Sequence, residues 1–348
     1  MLLVLAIAAA LWGLGAATQA SRGARLAMIG VLLAGVVLAQ LVLPDGHPIR
    51  AATGGSAAPW LLLAGAGVLV FGYRRLLGGL RARVSAAEAQ TEPETPGTFS
   101  GTELDRYARH IVLRDIGGPG QRKLKEARVL VVGAGGLGSP ALQYLAAAGV
   151  GTLGVIDGDS VENANLQRQV IHMDSAIGTP KVFSAAETIA AQNPHVTVRP
   201  YHRDLTDDIA AELIAEYDLV LDGTDRTDTR YTVNRACVAA GVPLVSGALS
   251  PWEGQVSVFD PARDAPCYAC LFPDPPPPGL SPTCAEAGVA GPLPGVVGSM
   301  MAIEALKVLT GAGTPLRGRL MIYDALHGET RIVSVPRRAD CAVCGATD

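Results

Sequence analysis

The chain has 348 residues, and its 28 Lys and Arg against 32 Asp and Glu leave a formal net charge of −4. That balance, with no basic stripe interleaved with aromatic residues, argues against a nucleic-acid partner. The length suits one large catalytic domain plus an additional segment, with no internal repeat.

The additional segment comes first. Residues 1–20, 26–43 and 59–73 form three strongly apolar runs, the last taken to 77 as an expected helix. The first two are near the length that crosses a bilayer, and the third reaches it only if Leu76 and Leu77 extend it. Their Ala, Gly and Leu content suits closely packed membrane helices. A cleaved signal peptide is the other reading of the first run; the absence of a preceding positive charge and the two further runs speak against it. Arg22 and Arg25 lie in the first loop, Arg50 lies beside Asp45 in the second, and Arg74, Arg75, Arg81 and Arg83 follow the third run. The positive-inside tendency then puts the N-terminus outside and everything beyond Arg74 in the cytoplasm. Residues 1–83 are thus expected to be a multi-pass region of the inner (cytoplasmic) membrane. Residues 84–100, small, polar and Pro-containing, read as a flexible linker, leaving 101–348 as a domain facing the cytoplasm.

In that domain, Thr102–Leu113 predicts a helix with Leu104, Tyr107, Ile111 and Val112 on one side. Val129–Val132 reads as a buried parallel strand that runs into Gly133-Ala134-Gly135-Gly136-Leu137-Gly138. Ser139 can then cap a helix, with Pro140 at its first position. Further strands are expected over 154–157, 196–201, 218–221 and 243–246, and helices over 209–216 and 229–240, the last closed by Gly241. This alternation signals a doubly wound, mostly parallel sheet. The last third differs: strands over 255–259, 319–323 and 330–335 suggest antiparallel pairing, with a long helix over 296–309. Pro275–Pro278 forms a stiff extended loop. The expected class is α/β, a Rossmann-like doubly wound sheet extended by antiparallel strands and preceded by transmembrane helices.

The chemistry starts at the glycine loop. Strand, glycine turn and helix start together cradle an anion, because phosphate can approach bare backbone and helix amides. NAD and ATP both fit that description, and Asp157 could bind the ribose of either. Asn165, Leu166, Gln167, Arg168 and Lys181 tilt the balance, since a nucleotidyl transfer needs cations where charge builds on the α-phosphate and a hydride transfer does not. Taken alone, Arg168 and Lys181 are equally well read as solvated surface. Asp225 follows a parallel strand's C-terminal end, where a carboxylate can hold Mg²⁺ or cap the next helix; Asp222 and Asp159 are weaker candidates for the same ion. Cys267-x-x-Cys270 and Cys341-x-x-Cys344 form two knuckles with the spacing of a closed tetrahedral Zn²⁺ site. Cys284 is either a loop nucleophile of lowered pKa or an inert small residue.

Taken in order, RYARHIVL, VLVVGAGGLGSP, IDGDSVENANLQRQ, GTPK, LVLDGTD, PLVSGA, CYACLFP, TCAEAGVAGPLPGVVGSMMAIEALK and CAVC resemble the ThiF/MoeB/HesA family, bacterial relatives of ubiquitin-activating enzymes. The likeness runs from about Leu104 to Cys344 and is strongest to the branch that serves molybdopterin synthesis, with the thiamine branch as its sibling. The resemblance implies ATP-dependent adenylation of the C-terminal glycine carboxylate of a ubiquitin-like sulfur carrier ending in Gly-Gly, with pyrophosphate released. It implies that Gly133, Gly135, Gly136 and Gly138 form the phosphate cradle and that Asp157 binds ribose. It further gives Asn165, Arg168 and Lys181 contacts to phosphate, with Leu166, Gln167 and Arg226 nearby, and gives Asp225 a magnesium ion. Arg109 matches an arginine that reaches across from a second subunit, so a homodimer is implied. The paired cysteines match zinc ligands, and Cys284 matches a cysteine that forms a covalent carrier intermediate in some members. Three departures stand out. Arg226 occupies a place usually held by Asn, the apolar runs lie outside the common pattern, and no rhodanese-like domain follows Cys344, so a separate sulfur donor is expected. An NAD-dependent oxidoreductase is the distant alternative.

Overall fold

The computed structural model describes residues 2–76 apart from 19, 64, 68, 71 and 74, then residues 99–275, 277 and 287–345. The chain divides into two compact units, Met1–Pro93 and Glu94–Asp348.

In the first unit, helices Leu2–Ala17 and Arg22–Val42 precede a short helix, Pro48–Ala52. Ser21 starts the second helix by accepting from the Ala24 amide at 3.2 Å, the local reason the chain turns there. Val4, Val36 and Trp60 make a small core. Trp60 Nε1 donates to the Thr53 carbonyl at 2.9 Å, satisfying the one polar atom of that buried ring. Residues Gly23–Val42, with a mean hydropathy of 2.2, are long and apolar enough to cross a membrane, whereas Leu3–Ala17 and Ala58–Gly67 are shorter apolar helices. Only the second of the three expected runs therefore coincides with a helix of spanning length among the described residues. Residues 77–98, which include the end of the third run and most of the expected linker, lie outside the described residues.

The second unit is built on one eight-stranded sheet. Its strands are β1 (Arg128–Val132), β2 (Thr152–Ile156), β3 (Thr197–Tyr201), β4 (Leu219–Asp222), β5 (Leu244–Leu249), β6 (Glu253–Phe259), β7 (Arg319–Asp324) and β8 (Glu329–Ser334), in the order β3-β2-β1-β4-β5-β6-β7-β8. The first five run parallel, and β6, β7 and β8 add on antiparallel. Both faces of the centre of the parallel part are covered, so strands β1, β2 and β4 are largely apolar on both sides rather than alternating, whereas edge strand β3 is more open. Val129, Val131, Leu153 and Val155 pack with Leu142, Leu145, Val182, Ile189 and Val297 on one face. Leu130, Val132, Ile156 and Val220 pack with Ile214 and Val233 on the other.

Helix Gly101–Ile111 starts on a capping box. Ser100 Oγ accepts from the Glu103 amide at 3.2 Å, and Glu103 Oε2 accepts from the Ser100 amide at 2.9 Å. Phe99 packs edge-on against Tyr107, with ring centroids 6.2 Å apart. Phe99 and Ser100, the last two residues of the expected linker, thus belong with this helix. The apolar stripe expected on this helix is only partly buried. Tyr107 is enclosed, but Leu104 and Val112 are exposed, and the charged Glu103 is buried, paired with Lys125 at 2.8 Å.

Two helices escape sequence patterning, Gly117–Glu126 and Lys181–Gln192. The first opens on three glycines among its first four residues, and the second is alanine-rich with a thin apolar stripe. The long helix Pro292–Thr310 passes the same length and composition test as Gly23–Val42. It belongs to the core, however, with Leu293, Val297, Met301, Ala302 and Ala305 buried.

Candidate active site

From β1 the sheet grows one way to β2 and the other way to β4. Loops leaving the C-terminal ends of these strands part there, which is where open α/β sheets make their ligand crevice. A cleft of about 560 Å³ fills that position, walled by the loops after β1, β2, β3 and β4 and by the end of β5.

The glycine loop forms its floor. Gly133 adopts a φ of +90°, open to glycine but costly for other residues, and a Cβ there would press on the Gly223 carbonyl at 3.3 Å. A Cβ at Gly138 would collide with the Gly133 carbonyl oxygen; that residue serves the tight turn into helix Gly138–Ala147 and is not among the cleft's walls, whereas Gly133, Gly135 and Gly136 are. The helix begins two residues earlier than expected. Gly138 is its first residue and Leu137 precedes it with no side-chain cap. Ser139 lies inside the first turn and its hydroxyl points to the Ala134 carbonyl at 3.4 Å. The amides at this helix start are therefore left free of a side-chain acceptor, as an anion site requires.

Asp157 sits one residue past β2 and accepts from the Ala134 amide at 2.8 Å and the Asp159 amide at 2.8 Å. Burial pushes its carboxyl above the usual range, opposed by Lys181 and by these two amides. Lys181, 4% exposed, reaches the cleft from the first residue of helix Lys181–Gln192 and pairs with Asp159 at 2.7 Å. Asn165 and Arg168 line the same wall, with the Arg168 guanidinium donating to Asn165 Oδ1 at 2.6 Å. Leu166 and Gln167 are not among the lining residues. Gln167 lies against Gly291, where a Cβ would meet its Oε1 at 2.5 Å. The 3₁₀ turn Asn163–Asn165 brings Gln169 into the wall in its place. Gln169 is buried, and its Oε1 has no hydrogen-bond partner among the described residues. A buried acceptor without a donor is costly, so a ligand hydroxyl or amine suits this place.

Asp225 and Arg226 line the opposite wall, both exposed. Arg226 pairs with Asp204 at 3.0 Å. Asp222, considered above for a metal, is fully buried and bound to Arg230 at 3.2 Å; its charge is already matched, and burial pushes its carboxyl up. Arg230 also donates to Ser246 Oγ at 3.1 Å, to the Gly247 carbonyl at 2.7 Å and to the Thr224 carbonyl. Asp222 Oδ1 holds the Thr224 amide at 3.0 Å. The loop carrying Asp225 is thus tied to β5 from beneath. Nothing in the pattern around Arg230 singles it out, since its role depends on β5, 16 residues away. Tyr231, Tyr268 and Phe272 add an aromatic wall; the Tyr268 ring meets Tyr231 at 5.4 Å and Phe259 at 5.7 Å, both edge-on.

Arg109 is exposed on helix Gly101–Ile111 and does not line the cleft of its own chain. Cys284 lies outside the described residues.

The two cysteine knuckles come together. The four Sγ atoms of Cys267, Cys270, Cys341 and Cys344 lie within 4.8 Å of one another, and all four residues are buried. Neighbouring sulfurs are 3.4–4.0 Å apart, matching the ~3.8 Å edge of a tetrahedron with Zn–S bonds of about 2.3 Å. The Arg338 amide points at Cys270 Sγ at 3.5 Å and Asn234 Nδ2 at Cys267 Sγ at 3.7 Å, the outer donors that thiolate ligands attract. The donor set fits a zinc ion. Tyr268, of the aromatic wall, lies between the first two of these cysteines.

Residues 107–343 match the profile of the ThiF family. The chain is 53% identical over 247 residues to the sulfur carrier protein adenylyltransferase of Thermus thermophilus, covering 70% of this chain and 91% of that protein. It is 48% identical to the SAMP-activating enzyme E1 of Haloferax volcanii, over 71% of this chain and 91% of the relative. To the probable adenylyltransferase/sulfurtransferase MoeZ of Mycobacterium tuberculosis it is 49% identical, over 70% of this chain and 62% of MoeZ. Among solved structures, E. coli MccB with ATP superposes with a TM-score of 0.61 at 22% identity, over 71% of this chain and 75% of MccB, a likeness of fold.

Proposed function

The chain belongs to the ThiF family, and on that premise we propose that it adenylates the C-terminal glycine carboxylate of a ubiquitin-like sulfur-carrier protein. The observation that carries this reading is the meeting, in one cleft, of the bare glycine loop, the ribose-binding type of carboxylate at Asp157 and the two cations Arg168 and Lys181. The relatives' names supply the reaction class, which the NAD reading of the loop lacks.

A carrier carboxylate oxygen attacks the α-phosphorus of ATP. The bond from that phosphorus to the bridging oxygen breaks, pyrophosphate leaves, and a carrier acyl-adenylate remains. The protein's contribution is placement and charge. Holding the carboxylate beside the α-phosphate removes much of the entropic barrier, and Arg168 and Lys181, preorganised in a partly dry cleft, stabilise the charge that builds during attack. Lys181 is engaged by Asp159, an ion pair that a phosphate can exchange into. Asp225, exposed in the opposite wall, would hold Mg²⁺, which would screen the outer phosphates as they depart.

Zinc at Cys267, Cys270, Cys341 and Cys344 would be structural, tying the C-terminal tail to the segment after β6. A homodimer would let Arg109 reach the cleft of a second copy; Leu104 and Val112, left exposed on the same helix, support such a contact. The helix Gly23–Val42 supports attachment to the inner membrane, with shorter apolar helices beside it. Molybdopterin synthesis is the proposed pathway, with the thiamine carrier as the sibling substrate.

ATP–pyrophosphate exchange, run with each candidate carrier and with carriers lacking the terminal Gly-Gly, tests the reading. Exchange should require one intact carrier. Exchange that is indifferent to the carrier's tail would overturn it.

A further inference from the structure

We infer that His172 is a positioning residue that locks the glycine loop to the helix presenting Lys181, so that both reach the same triphosphate. The inference rests on the reading of the cleft given above.

His172 is 5% exposed and does not line the cleft. Its Nε2 lies 2.9 Å from the Ala134 carbonyl, inside the glycine loop, and its Nδ1 lies 2.9 Å from Ser184 Oγ. Ser184 is buried in helix Lys181–Gln192, three residues after Lys181. A carbonyl oxygen only accepts, so Nε2 carries the proton, and the neutral ring accepts the Ser184 hydroxyl at Nδ1. Burial holds the imidazole below its usual range, which keeps that ring neutral at physiological pH.

The bridge has a second arm. The Ala134 peptide, whose carbonyl His172 holds, donates its amide to Asp157 at 2.8 Å. One ring therefore ties together three neighbours of the bound nucleotide: the phosphate loop, the ribose carboxylate through a single peptide group, and the lysine helix. That helix has no side-chain cap of its own, and among the described residues this pair is the only side-chain hydrogen-bonded bridge joining it to the loop. Errors of this kind matter because donors misplaced by about 1 Å can cost on the order of a hundredfold in rate.

Three substitutions separate positioning from bulk. His172→Gln can set its amide nitrogen where Nε2 was and keep the bond to Ala134; His172→Asn reaches only as far as Nδ1; His172→Phe keeps the volume and no polar atom. ATP binding is measured by calorimetry, and KM and kcat by carrier-dependent exchange, on full-length protein whose melting is recorded without nucleotide. The Phe variant should raise the ATP KM by about tenfold or more with a smaller change in kcat, and Asn and Gln, each keeping one arm of the bridge, should fall between Phe and the wild type. Ser184→Ala, the loss of one hydroxyl, gives a variant less prone to misfold and should weaken ATP in the same direction. ATP affinity unchanged in the Phe variant and in Ser184→Ala, or Gln as impaired as Phe, would overturn the inference. A wild-type protein that binds no ATP would overturn the reading of the cleft and this inference together.

Discussion

Arg168 is the residue on which the charge argument bears most directly. Its guanidinium is aimed by Asn165 at 2.6 Å, so its geometry is set before a ligand arrives. Arg168→Ala should lose about 3 kcal/mol of transition-state stabilisation, on the order of a hundredfold in exchange rate, as the removal of a preorganised donor does elsewhere; unchanged exchange would take Arg168 out of the reaction. His172 gives a pH dependence of stability. Its folded pKa lies below the usual 6.5, through burial, with Lys181 lowering it and the Ala134 carbonyl and Asp157 opposing. A base with a depressed folded pKa stabilises the fold above its unfolded pKa, and that stability is lost as pH falls through about 6.5 toward the folded value. Denaturant unfolding between pH 7.5 and pH 5 (both approximate) should show a decline that His172→Gln blunts; an equal decline in both proteins would assign it to other groups.

At the scale of elements, the cysteine knuckles and the aromatic wall are mechanically one piece, because Tyr268 is flanked by Cys267 and Cys270 and lines the cleft. Removing zinc with a chelator, or making Cys341→Ser, should lower the melting temperature and raise the KM of the reaction together. Full activity in zinc-free protein would separate the two. The N-cap of helix Gly101–Ile111 offers a simpler test: Ser100→Ala should cost about 1 kcal/mol in denaturant unfolding, and no cost would mean that the helix is held by Tyr107 alone. These elements also show what a sequence reveals of itself. The glycine loop, the strand ends at Asp157 and Asp222 and the knuckles are legible because local covalent spacing sets them. That the Cys267 and Cys341 knuckles meet across 74 residues is legible only through the chemistry of four thiolates, whose spacing suits one shared metal ion. Helix Lys181–Gln192 is not legible, since its fold is decided by packing against the sheet through Val182, Ala185 and Ile189 rather than by a strong periodic pattern. His172 and Arg230 carry no sequence signal for the same reason: each acts through a partner distant in sequence, which no spacing encodes; Gln169 stands out only once the 3₁₀ turn brings it into the wall. Ser139 is the converse, a good cap by pattern that the tight Gly133–Gly138 turn draws into the helix.

At the scale of the molecule, the proposed dimer makes a crossed prediction. Arg109→Ala and Asp225→Ala variants, each inactive alone, should regain up to about a quarter of wild-type activity when unfolded or exchanged together at equal amounts, as heterodimers form with one intact site. Absence of complementation in a verified mixed dimer would place Arg109 outside the cleft. Removing residues 1–98 should release the protein from the membrane fraction without loss of exchange; a truncated protein that still sediments with membranes would show that the apolar helices are not its anchor. The most direct test of the central claim is mass spectrometry of the carrier after incubation with ATP and this protein. The account predicts AMP joined to the C-terminal glycine, absent when the terminal Gly-Gly is deleted and sharply reduced with Arg168→Ala. AMP on a side chain, or ADP and free phosphate with an unmodified carrier, would contradict it.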